Sequence, residues 1–184
     1  LTSSTISESS TEGLWIYSSN QTIGGNTFSN NSSGGILLYN DSFLGFSSPN
    51  TLSGNSGSVK NGIGIAGSLS SAAGRWNPLS AAYVIKDNLI INDGAVLNIS
   101  TGVVVKFSTG AYMAVKGVLN AEGTDADKIV FTSIKDDTYG GDTNGDGSAT
   151  TPAKGDWNRI LFLNYLTAST LNNVIAKYGV GNPA

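Results

Sequence analysis

Asn26-Thr27-Phe28-Ser29-Asn30-Asn31 and Asn50-Thr51-Leu52-Ser53-Gly54-Asn55 are two copies of one hexad, set 24 residues apart. Each leads to glycine and a short apolar run, Gly35-Ile36-Leu37-Leu38 after the first and Gly62-Ile63-Gly64-Ile65 after the second. A similar run, Gly13-Leu14-Trp15-Ile16-Tyr17, precedes the first copy, so the unit recurs every 22 to 27 residues. That period, with short strands and no helical stretch, fits one coil of a parallel β-helix. A single coil cannot bury its own apolar face. Stacked coils pair edge to edge at about 4.8 Å and share one core. Asparagine at a fixed corner can bond through its amide to the next coil. Asn31 and Asn55 are the ladder candidates. Asn26 and Asn50 stay open between ladder places and turn residues that tolerate unusual backbone angles.

Downstream the strands strengthen: Tyr83–Ile85, Leu89–Ile91, Val96–Ile99, Val103–Phe107, Tyr112–Val115, Val118-Leu119 and Ile129–Phe131. Asn92-Asp93-Gly94, Ser100-Thr101-Gly102 and Ser108-Thr109-Gly110 punctuate them as turns. Such spacing also suits a β-sandwich. The asparagine repeat and the near-continuous Val/Ile/Leu runs, typical of parallel sheets covered on both faces, favour the solenoid. The expected organisation has four parts: a polar tail or cap over 1–13, coils of the asparagine type over 14–68, a loop or seam over 69–82, and coils over 83–184. A polar insertion interrupts the last part at 135–156, before strands at Arg159–Asn164 and Leu171–Ala176. The expected fold is all-β, a right-handed single-stranded parallel β-helix with a long insertion that resembles a calcium loop.

Composition agrees. Of 184 residues, 24 are glycine and only 12% are charged, about half the usual share of near 25%. With neither His nor Cys, His-based acid/base chemistry, thiol nucleophiles and Cys- or His-ligated metals are excluded. A net charge of −3 argues against nucleic acid as a partner. No apolar run approaches the roughly 20 residues of a membrane span. The opening Leu1–Gly13 has no signal-peptide pattern, and with Leu in first place the chain reads as a fragment of something longer.

The second half resembles a known family. Gly94-Ala-Val-Leu-Asn-Ile-Ser-Thr-Gly-Val-Val-Val-Lys-Phe107 is similar to the G-x-x-L-x-I-x-x-G-x-x-V-K-F coil of bacterial right-handed parallel β-helix surface proteins. Val118–Thr124 with Ile129–Ser133 is similar to the next coil. Asp136-Asp-Thr-Tyr-Gly-Gly-Asp-Thr-Asn-Gly-Asp-Gly147, followed by Gly155-Asp156-Trp157, resembles an insertion of that group. Where such proteins often carry Gly-Gly after the Trp, this chain has Asn158-Arg159. The resemblance implies an extracellular or cell-surface place in a long modular chain, and no enzyme activity by itself.

One constellation carries chemistry. Asp142-Thr-Asn144-Gly-Asp146-Gly147 follows the D-x-N-x-D-G start of a calcium loop. Alternate residues there can aim oxygens at one ion, which takes six to eight oxygens at about 2.3–2.6 Å. The carbonyl of Ser148 is a further candidate ligand. The twelfth position is Ala153 in place of the usual acid, so Asp136, Asp137 and Asp156 are expected to complete the shell around a structural Ca²⁺. A solvated acidic loop is the plain alternative.

Catalysis is not expected. Asp136 and Asp137 are adjacent and diverge, a poor arrangement for paired-carboxylate hydrolysis. Arg159 is expected to pair with Asp156 or Asp137. For sugar stacking, Tyr139 and Trp76 in loops are the candidates. Trp15 is expected in the core and Trp157 over the end of it. Sequons at Asn20, Asn30, Asn31, Asn40 and Asn98 are accounted for by composition. The expected function is a structural or adhesive surface segment that stacks on neighbouring copies or flanking modules. Carbohydrate binding or processing is the rival.

Overall fold

The computed structural model describes residues 1–70, 73–163 and 168–180, and among them no helix occurs. The chain winds through short strands that repeat in order. The first three are β1 (Thr5–Ser7), β2 (Glu12–Tyr17) and β3 (Asn20–Ile23), followed by β4 (Thr27–Ser29), β5 (Gly34–Tyr39) and β6 (Phe43–Phe46). Next come β7 (Thr51–Ser53), β8 (Ile63–Leu69), β9 (Ala73–Trp76) and β10 (Tyr83–Ile91). β11 (Val96–Ile99), β12 (Val104–Phe107), β13 (Tyr112–Val115), β14 (Val118–Glu122) and β15 (Ile129–Ser133) precede the insertion. β16 (Ile160–Phe162), β17 (Thr170–Asn172) and β18 (Val174–Ala176) follow it. Asn164, the expected end of the strand at 159–164, lies outside the described residues.

Among the described residues every ladder is parallel, and strands pair about one repeat away except where β13, β14 and β15 reach β16, β17 and β18 across the insertion. The longest face runs β2-β5-β8-β10-β12-β15-β18. A second face holds β1-β4-β7, and β9-β11-β14-β17 form a separate ladder whose first strand packs beside β6. The third holds β3-β6, while the far halves of β8 and β10 lead on to β13 and β16 within the largest sheet. β8 and β10 serve two faces because the register shifts between Ile85 and Leu89. This is a parallel β-helix.

Register turns periodicity into core. Leu14, Ile36, Ile63, Tyr83, Val105 and Phe131 form one inward stripe, rung by rung. Ile16, Leu38, Ile65, Ile85 and Phe107 form the next. Phe107 stacks on Trp157 with ring centroids 4.1 Å apart, and Trp157 is buried as expected. Asparagines flank the second face on both sides of β4 and β7. Asn31 Nδ2 donates to Asn55 Oδ1 at 2.9 Å, and Asn26 Nδ2 donates to Asn50 Oδ1 at 2.9 Å. Both pairs are ladders, which resolves the open reading of Asn26 and Asn50.

Four expectations differ from what is seen. Residues 1–13 form part of the solenoid, since β1 pairs with β4 and β2 begins at Glu12. Within 69–82, β9 pairs in register with β11 and so belongs to the solenoid. Trp76, offered as a loop residue for sugar stacking, is 1% exposed and stacks on Tyr83 at 4.9 Å. It is core. Trp15, expected in the core, is 60% exposed.

Candidate metal centre

The segment between β15 and β16 folds back over the outward side of the longest face. Its five positive-φ glycines, at 140, 141, 145, 147 and 155, let the chain reverse tightly. The Thr143 carbonyl accepts the N–H of both Lys60 and Asn61 at 3.1 Å. Asn61 Nδ2 donates to the Asp142 carbonyl at 2.9 Å, and Lys60 Nζ to the Gly145 carbonyl at 3.1 Å. Val59, Val84 and Ile134 form a small apolar cluster on this side of the face. The insertion is therefore anchored far along the solenoid from its own strands.

Asp142, Asp146 and Asp137 converge, with one carboxylate oxygen from each lying within 4.8 Å of the others. Two oxygens on one calcium ion are separated by at most about 5 Å, twice the Ca–O distance. The backbone N–H groups of Asp146 and Gly147 hold the Asp142 carboxylate at 3.1 and 2.9 Å. Asn144 Nδ2 donates to Asp146 Oδ2 at 2.9 Å, and the Thr150 hydroxyl donates to the same oxygen. These bonds leave Asp137 Oδ1, Asn144 Oδ1 and Asp146 Oδ1 buried with no hydrogen-bond partner. Buried acceptors without donors are costly, and Asp137 and Asp146 also belong to the converging group.

Electrostatics agree with that crowding. Burial pushes the Asp137 carboxyl up from its ordinary range, and the Asp142 charge adds to the rise. Burial would raise Asp142 too, but the N–H donors of Gly147, Asp146 and Gly145, helped by Lys106, hold it below the usual range. Lys106 is fully buried beneath the insertion, where its ammonium donates to the Gly141 carbonyl. Burial lowers its pKa to about 8 against the upward pull of Asp137, Asp136 and Asp142. Sequence reading gave Lys106 no role. Its signal was a lone cation in the strand Val104–Phe107.

Two expected ligands are engaged elsewhere. Asp136 accepts from the Thr132 hydroxyl at 2.6 Å and from the Thr138 N–H at 3.2 Å. Asp156 accepts from Lys135 Nζ and the Ser133 hydroxyl, both at 2.8 Å, and from the Ala153 N–H at 3.0 Å. Both lie outside the converging group. Lys135 takes the place expected of Arg159, whose Nε instead donates to Asn158 Oδ1 at 2.8 Å. Ser148 is exposed. Tyr139 is half-buried, with the Lys177 ammonium 5.7 Å from its ring centroid.

Fold and repeat together define a β-helix repeat protein. The chain belongs to the family described as "Protein of unknown function (DUF1565)", whose model matches residues 2–118. That match covers the coils up to the start of β14 and ends before the acidic insertion. No curated protein and no solved structure matches the chain.

Proposed function

We propose that this chain is a structural, adhesive segment of a secreted or cell-surface β-helix protein, and that one Ca²⁺ pins its insertion across the solenoid. Asp137, Asp142, Asn144 and Asp146 hold the ion, with the Ser148 carbonyl as a further ligand. The observation that carries this reading is the set of three buried, donorless oxygens on Asp137, Asn144 and Asp146. The ion acts as a fastener. It neutralises the carboxylates and fixes the turn whose carbonyls grip Lys60 and Asn61. The reading includes no catalysis. Exposed Phe162 and Leu171 on the last described rung, with Val180 just after it, support stacking on a further coil or a neighbouring copy.

Thermal unfolding with and without excess chelator, with bound metal quantified, tests the proposal. About one calcium per chain and a lower Tm on chelation are expected, since a ligand at 100 times its Kd adds about 2.7 kcal/mol. No bound calcium and an unchanged Tm would overturn it.

A further inference from the structure

Trp15 and Tyr17 point outward from β2 and are 60% and 61% exposed. The other two tryptophans are buried, so the chain hides such rings elsewhere. Tyr39 joins the exposed pair from the next rung. It stacks on Tyr17 at 5.5 Å with 13° between the planes, and meets Trp15 edge-on at 6.0 Å. The rung after that places Gly64 and Ala66 in register with Leu37 and Tyr39, so its own side chains there rise no higher than a methyl group. The Lys86 side chain crosses this low rung, since a Cβ on Gly64 would lie 3.1 Å from Lys86 Cδ. Lys86 Nζ ends 3.1 Å from Glu12 Oε1 on the same strand as Trp15.

We propose that Trp15, Tyr17 and Tyr39, with the Glu12–Lys86 pair, form a binding platform for a neutral, pyranose-containing glycan. A pyranose has an apolar C–H face and a rim of hydroxyls. Its C–H groups, slightly positive, meet the negative faces of the rings. Its hydroxyls both donate and accept, and the pair offers a carboxylate to accept and an ammonium to donate. The charges of the pair cancel, so the platform selects an uncharged sugar over an acidic one. A protein partner would need a far larger surface, of order 1,000 Å² or more, than three rings beside a bare rung. The platform is independent of the calcium reading, because none of its residues belongs to the metal group.

Acrylamide quenching of tryptophan fluorescence reads it directly, since Trp76 and Trp157 are 1% and 3% exposed and the quencher reaches Trp15. Cellohexaose, maltohexaose and chitohexaose are the probes, and oligogalacturonate is the acidic control. At least one neutral hexasaccharide is expected to shield Trp15. In calorimetry, Trp15→Ala should weaken that sugar roughly tenfold, the worth of one aromatic contact, with the circular dichroism unchanged. Lys86→Met should weaken it as well. Failure of all three neutral sugars to shield Trp15 overturns the proposal. So does shielding by oligogalacturonate alone, or binding that survives Trp15→Ala. Shielding that grows with protein concentration in the absence of sugar would make the patch a contact between copies instead.

Discussion

Asn31 donates through Nδ2 to Asn55 Oδ1 at 2.9 Å, and its backbone N–H donates to the same oxygen at 3.1 Å. Asn55 in turn donates to the Phe28 carbonyl at 2.9 Å. One buried side chain thus satisfies two donors and one acceptor on the rung above it. Asn55→Ala removes all three partners at once. Each orphaned buried group costs about 1–3 kcal/mol, so we expect a loss of roughly 3 kcal/mol or more in urea unfolding. The half-exposed Asn98, which accepts from Asn120 at 3.1 Å, can be replaced by water. Asn98→Ala should cost about 1 kcal/mol or less.

Gly62 supports the insertion by lacking a side chain. A Cβ there would lie 2.7 Å from both Thr143 Cγ2 and Val84 Cγ2. Gly62→Ala should force the insertion outward and cost about 1–3 kcal/mol as overpacking. Faster proteolysis within 135–156, with the coils intact, would report the lift. Proteolysis at the parental rate would mean that Thr143 does not seat on this rung.

Much of this was legible in the sequence, because a solenoid writes its fold as a repeat. The hexads gave the rungs of β4 and β7, and the Asn-Thr spacing gave the ladders. The runs from Tyr83 to Phe131 gave the strands of the longer faces. β9 was not legible. Ala73-Gly74-Arg75-Trp76 has weak strand propensity, and its pairing with Val96–Ile99 is decided by distant residues. Phe43 lies against the bare Gly74, a contact no local pattern shows. Trp15 departs from the expectation that its apolar run lies in the core, because alternation sends Leu14 and Ile16 in and Trp15 and Tyr17 out. In the insertion, the D-x-N-x-D-G spacing marked Asp142, Asn144 and Asp146. Sorting Asp137 from its neighbours Asp136 and Asp156 needed Thr132, Ser133 and Lys135, which capture the other two.

Asp137 gives the calcium reading a test with opposite signs. Its carboxyl pKa is raised, first by burial and then by Asp142. A raised carboxyl binds protons more tightly folded than unfolded. Without metal, stability should therefore fall as pH climbs from the ordinary value near 3.9 through the folded one. Asp137→Asn removes that penalty. In chelator it should raise Tm above pH 5. In calcium titrations it should weaken binding roughly tenfold or more, since even outer-shell partners of a metal are worth about that. A variant that lowers Tm in chelator and leaves calcium affinity alone would place Asp137 outside any cation site.

Lys106 supplies the complementary titration. It is buried at 0% exposure, and its pKa is lowered to about 8 from 10.5, chiefly by burial. The unfolded chain therefore holds this proton over a range in which the folded chain has released it. Where the unfolded state binds more protons, stability rises with pH. Metal-free protein should gain stability between about pH 8 and 10.5, by no more than about 3 kcal/mol at 1.36 kcal/mol per pH unit. Lys106→Met, which keeps the buried stem, should flatten that rise in urea midpoints measured across the window. It should also free the Gly141 carbonyl and loosen the insertion. An unchanged rise in the variant would assign the titration to another group and leave Lys106 as packing alone.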